Sequence, residues 1–286
     1  MSSSTLLSIV TFIYGLAALL YICALVFRKP RQSFKKSKIS GLAGYVAMAG
    51  VLGNITGILQ RWIESYKLGI GHAPLSNMYE SLVFFSWTLV VFYLVLEKKY
   101  KNYIIGAFVT PIAFLAMAYA SLSPNISDRI QPLIPALKSN WLIAHVVTCF
   151  LGYAAFAIAF GLSLIYLLGQ KESGKSGWLN EHFPRAGVLD ELTHQMVIFG
   201  FLFLTIGIIT GAVWANSAWG TYWSWDPKET WSLITWFIYA ILLHARLMRG
   251  WQGKRIAWLS VIGFSAVLFT YFGVNFLPGL HSYGAG

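Results

Sequence analysis

Charge is what this chain has least of: ten Asp and Glu and twenty-one Lys and Arg among 286 residues, or 11% charged, against about 25% in soluble domains. With 57% hydrophobic residues and a mean hydropathy of +0.63, there is too little polar surface to cover a soluble globule. The apolar runs are helical in length and lack the ten-residue alternation of an outer-membrane barrel. Cysteine is nearly missing too. Cys23 and Cys149 sit singly inside apolar runs and no CxxC occurs, so neither a dithiol redox site nor a cysteine metal site is expected. No polar linker or fixed-period repeat divides the chain, which reads as one polytopic membrane domain over 1–286.

What is present is a set of eight apolar runs, roughly 5–27, 41–60, 78–96, 103–121, 141–168, 194–215, 230–247 and 256–277. Each is near the 20 or so residues that cross a hydrocarbon core of about 30 Å. The expected fold is therefore an all-α integral membrane protein, a polytopic bundle of about eight transmembrane helices. The first run has only Met-Ser-Ser-Ser up to residue 4 before it, and no A-x-A site follows, so it reads as a retained span.

The charge of +11 raises the question of nucleic acid, and the placement of the basic residues answers it. Six Lys/Arg lie in 28–38, three in 98–101, three in 171–185 and four in 246–255, sixteen of the 21, all on loops of one side. The opposite side carries Arg61, Lys67, Arg129, Lys138 and Lys228. By the positive-inside rule the first set is cytoplasmic and both termini lie outside. Anionic headgroups of the lipid bilayer, and no nucleic acid, account for the basic surface. On the outer side, 122–140 reads either as a short amphipathic helix, with Pro132 and Pro135 limiting its length, or as an irregular loop.

One outer loop departs from anything a connection needs. Residues Trp219 to Trp236 hold five tryptophans, with Tyr222, Asp226, Lys228 and Glu229 among them. Indoles favour membrane interfaces as a class, which explains scattered ones but not five in eighteen residues. Trp219, Trp223 and Trp225 instead suggest a flat apolar wall for a planar ligand, with Asp226 beside it. Asp226-Pro-Lys-Glu229 also matches a capping box with proline at the first helical position, as Asn77 and Glu80 match a cap and its partner. Capping and ligand contact remain alternatives for Asp226 and Glu229.

Depth sorts the histidines. His145 stands near the outer end of the fifth run and His281 just past the eighth, so the two flank the aromatic loop. Imidazoles from two segments would make six-coordinate haem iron; an interfacial or tail histidine is the alternative for each. His244, about 22 Å along its helix from Glu229, lies in the inner half of the membrane, either as a functional site or snorkelling near Arg246. His194, after Asp190 and Glu191, suits a structural interfacial role, His182 a solvated cytoplasmic one, and His72 loop packing.

Trp219-Gly-x-x-Trp-x-Trp-Asp-Pro-Lys-Glu-Thr230 resembles the WWD signature of the haem-handling proteins of cytochrome c biogenesis, in particular the CcsA/ResC type of System II. Gly71-His-x-Pro-Leu-Ser-Asn-x-Tyr-Glu-Ser81, Trp141-Leu-x-x-His145, Leu243-His-Ala-Arg246 and Gly279-Leu-His-Ser-Tyr283 are similar to that family too, so the resemblance covers nearly the whole chain. It implies a subunit of a cytochrome c synthase (haem lyase) working with a CcsB/ResB-type membrane partner. The pair would move haem b, as bound substrate, outward and join it to the CxxCH motif of apocytochrome c. The same resemblance implies that His145 and His281 are axial ligands to an outer haem, and that His244 is an intramembrane ligand whose mate comes from the partner. The WWD loop, about 216–229, would face the periplasm of a bacterial plasma membrane or a thylakoid lumen. A haem transporter or chaperone without ligation chemistry, a b-type membrane cytochrome and an unrelated small-molecule transporter are the alternatives. No catalytic residue is assigned.

Overall fold

The computed structural model describes residues 1–27, 37–171 and 184–279; His182 and His281 lie outside them. The described residues form eight α-helices and no strand: α1 (Ser3–Val26), α2 (Lys38–Lys67), α3 (Met78–Tyr100), α4 (Gly106–Leu122), α5 (Asn140–Lys171), α6 (Ala186–Trp219), α7 (Pro227–Arg249) and α8 (Lys254–Tyr271). Counting α8 with the 3-10 turn that extends it to Phe276, seven are long and apolar enough to cross a membrane, while α4 has 17 residues. At 1.5 Å per residue α4 spans about 26 Å.

Local chemistry sets the helix ends. Ser37 accepts the N–H of Ser40 at 3.0 Å and Asn77 that of Glu80 at 2.8 Å, each satisfying an amide with no intrahelical partner. Asp226 and Glu229 close a capping box at the start of α7, with Pro227 at its first position. The loop before α5 is irregular apart from a 3-10 turn at Pro135–Leu137, because Pro132 and Pro135 deny it the amides a longer helix needs.

The chain divides into two compact units, the first covering residues up to 133 and the second beginning at Ile134. In the first, α1 packs on α2 and α4, and α3 on α4 and α2. Some of its buried polar groups are paired. Arg61 Nε donates to Glu80 Oε1 at 2.8 Å, with both side chains at most 2% exposed. Arg61 Nη1 donates to the carbonyl of Asp128 at 2.7 Å, and Glu80 Oε2 accepts the N–H and hydroxyl of Ser76. Beside them His72 sets its ring nitrogens against the carbonyls of Ala73 and Gln131, at 2.9 and 3.0 Å. The Gly71–Ser81 segment thus clamps the loop after α4, and His72 has a packing role. Further along α3, Tyr21 and Tyr93 both donate to Glu97 Oε2.

In the second unit α5 lies along α6 and against α8, and α8 along α7. Phe156 of α5 stacks on Tyr239 of α7, with ring centroids 3.6 Å apart and planes 6° apart. Small residues let the backbones approach: a Cβ added at Gly152 would meet the Gly200 carbonyl oxygen at 3.0 Å. Membrane helices without a hydrophobic drive to associate rely on such close packing.

Candidate functional site

His145, on the first turns of α5 and half-buried, turns its ring toward α6. Its Nδ1 lies 2.7 Å from the carbonyl oxygen of Gly207, and Cys149 Sγ is 3.6 Å from the same nitrogen. A carbonyl only accepts, so Nδ1 carries the proton, and when the ring is neutral the lone pair stands on Nε2. On α6 the ring faces glycine: a Cβ at position 211 would stand 2.6 Å from Nδ1, and one at 207 would stand 2.7 Å from Cys149 Sγ.

An aromatic sequence continues from this ring. Trp214, buried on α6, lies nearly parallel to His145, with planes 11° apart and centroids 6.0 Å apart. Its indole N–H donates to the Ala136 carbonyl at 2.9 Å, and Trp219 packs edge-on against it at 4.9 Å. His145, Trp214 and Trp219 are therefore brought together. Trp214, Gly207 and Gly211 thus surround His145, and none of them stood out in the sequence. The signal available was Gly207-Ile-Ile-Thr-Gly211, a GxxxG pattern in an apolar helix.

Past Trp219 the chain turns at Gly220, whose φ of 79° needs the left-handed region. Trp223 and Trp225 then meet edge to face, with centroids 5.7 Å apart. Trp225 also has a positive φ, 59°, which is uncommon for a bulky residue and costs about 1–2 kcal/mol. What holds it there is Glu229. Its Oε2 accepts the N–H of Ser224 at 2.7 Å, the Ser224 hydroxyl at 3.2 Å and the Asp226 N–H at 3.3 Å. The Trp225 carbonyl accepts from Thr230 Oγ1 at 3.2 Å. Glu229 is thus a buried clamp on the loop, and Trp225 is presented 68% exposed. Asp226 is buried and accepts the Lys228 N–H at 2.9 Å, while Lys228 Nζ donates to Asn275 Oδ1 at 3.3 Å.

His244 is not part of this cluster. It sits on α7 fifteen residues past Glu229, about 22 Å along the axis, and is exposed. Arg246, two residues on, is tied inward to Asp190 at 2.6 Å and Glu191 at 3.3 Å. Two residues are about 200° of helical turn, so this anchor points His244 outward beside Ile241 and Met248, which are also exposed. His194 lies on α6 one turn after Asp190, and its Nδ1 is buried without a hydrogen-bond partner. The structure thus places His145, Trp214 and Trp219 in one cluster and Trp223, Trp225 and Asp226 on the loop it leads into; His281 is outside the described residues.

Residues 75–281 match the family model described as "Cytochrome C assembly protein". The chain is 43% identical over 295 residues to the cytochrome c biogenesis protein CcsA of Guillardia theta, covering 96% of this chain and 94% of that one. It is 44% identical over 266 residues to that of Prochlorococcus marinus, covering 84% and 82%. A solved structure of the cytochrome c haem lyase CcmF superposes with a TM-score of 0.71 at 16% identity, over 95% of this chain and 47% of that one. This chain spans about half the length of that protein, and the likeness concerns the fold alone. An all-helical multi-pass architecture, a family match over residues 75–281 and relatives above 40% identity over most of the chain lead to one assignment: the chain belongs to the cytochrome c assembly protein family, as a membrane protein of the CcsA type that serves cytochrome c biogenesis.

Proposed function

We propose that this chain receives haem as a substrate and presents it for covalent attachment to apocytochrome c, as one subunit of a synthase completed by a CcsB/ResB-type membrane protein. His145 and His281 hold the iron on the outer side, and Trp219, Trp223 and Trp225 supply the flat apolar wall beside which the porphyrin rests, with Asp226 next to it. The observation that carries this reading is the His145 ring itself. Its Nδ1 is held by the Gly207 carbonyl at 2.7 Å, the arrangement that leaves Nε2 as a ligand nitrogen. The ring itself lies nearly parallel to Trp214, against which Trp219 packs.

His244 belongs to a second, inner position. His244 faces outward in the inner half of its span, and the second subunit would supply the other ligand there. Haem would move outward between the two positions by about 20 Å. At the outer position the chemistry is thioether formation: each CxxCH thiol adds across a haem vinyl group, the S–C bond forming as the C=C π bond breaks and the thiol hydrogen passing to the other vinyl carbon. The addition needs no external oxidant, and the protein contributes by holding the vinyl edges where the thiols arrive. By charge distribution the loop faces the periplasm or the thylakoid lumen.

The test is the visible spectrum of the complex purified with its partner in detergent, as wild type and as His145→Ala with His281→Ala. A six-coordinate haem spectrum that is lost in the double variant supports the outer site. Holocytochrome formation that needs this chain even when haem is supplied outside separates synthesis from transport alone. Normal cytochrome maturation by the double variant would overturn the assignment.

A further inference from the structure

The Gly207 carbonyl that receives Nδ1 of His145 also lies 3.1 Å from the Thr210 hydroxyl, whose single proton is shared between it and the nearer Ile206 carbonyl at 2.8 Å. One oxygen thus serves a ring N–H from α5 and a hydroxyl from its own helix. Across the ring, position 211 is filled by nothing: any Cβ there would stand 2.6 Å from Nδ1 and 2.8 Å from Cε1. These contacts are under 3.0 Å, so the ring would have to move.

We propose that Gly207, Thr210 and Gly211 form a positioning site for His145, in which the 207 carbonyl holds the Nδ1 proton, Thr210 moderates that hydrogen bond, and the bare backbone at 211 seats the ring. This rests on His145 being an iron ligand. An acceptor on the distal ring nitrogen raises the donor strength of the ligating one and favours the higher iron oxidation state. Thr210 competes for that acceptor and weakens the effect. Removing the hydroxyl therefore strengthens the Nδ1–H bond, whereas forcing the ring away from 211 breaks it. The two changes move the reduction potential of the bound haem in opposite directions, an outcome that packing alone does not produce.

The experiment uses the haem-loaded complex with its partner, as wild type, Thr210→Val, Gly211→Ala and His145→Ala, followed by redox titration and by haem retained per protein. Thr210→Val, close in shape to the native residue, is expected to lower the potential without loss of haem. Gly211→Ala is expected to raise the potential and to weaken retention by about tenfold, the usual cost of disturbing a group that supports a metal ligand. Potentials unchanged in both variants, with haem lost in His145→Ala, overturn the positioning site and leave the ligand assignment standing. Haem kept unchanged in His145→Ala, or a colourless wild type, overturns both. Should Gly211→Ala fail to accumulate, the sign of the Thr210→Val shift decides.

Discussion

Arg246 Nη1 donates to Asp190 Oδ2 at 2.6 Å, and the other oxygen of Asp190 accepts the N–H of Gly253 at 2.7 Å. One carboxylate on α6 therefore fixes the end of α7 and the entry to α8 together. Because Arg246 is held inward, His244, two residues earlier, faces outward.

This relationship predicts that Arg246→Ala lowers stability by about 2 kcal/mol, the scale of a lost charge-assisted hydrogen bond, and lets α7 turn about its axis. Arg246→Lys should recover only part of this, since an ammonium has no planar fork to reach both Asp190 and Glu191. Thermal unfolding in detergent measures the first effect. Disulfide or spin-label distances from residue 244 to the partner subunit measure the second, and unchanged distances in Arg246→Ala would mean the anchor does not set the direction of His244.

Glu229 separates loop clamping from ligand contact. Its Oε2 takes three donors from Ser224 and Asp226, and an amide oxygen can accept the same bonds. Glu229→Gln should therefore keep most of the loop's order and its haem retention, while Glu229→Ala should free the 219–229 segment at a cost of about 1–3 kcal/mol for the stranded donors. Hydrogen exchange of the Ser224 and Asp226 amides reports on the clamp. Haem lost in Glu229→Gln with those amides still protected would show that the negative charge itself contacts the ligand.

Trp225 gives the opposite pairing of effects. With φ at 59°, Trp225→Gly relieves backbone strain while it removes an exposed ring. The net change in stability should stay within about 1 kcal/mol of zero, because glycine's added freedom in the unfolded chain offsets the relief. Haem retention should nevertheless fall. Melting temperature and absorbance per protein, measured on the same preparation, check both parts; full retention would remove Trp225 from the aromatic wall.

Much of the architecture was legible because apolar length and capping chemistry act locally. The runs at 5–27, 41–60 and 141–168 became α1, α2 and α5 within a few residues for the first, with extended ends for the others. Asp226-Pro-Lys-Glu229 formed the capping box its spacing suggested. Between the two readings of 122–140 the structure chose the irregular one, since an apolar spacing does not supply the amides that Pro132 and Pro135 lack. The part of the site hidden in the sequence was the seat of His145. Gly207, Gly211 and Trp214 lie more than sixty residues further on, in a run that reads simply as a span.

By itself, the sequence determined that this is a helical membrane protein, and it pointed to the Trp219–Glu229 loop with its flanking histidines as the candidate site. These follow from composition, run length and residue type, properties that each segment carries without reference to any other. Only the tertiary structure decided that Glu229 is spent on holding the loop, that Arg246 turns His244 outward, and that a backbone carbonyl on α6 holds the ring of His145. Each of these is a contact between groups distant along the chain or a direction around a helix axis, set by which surfaces pack together.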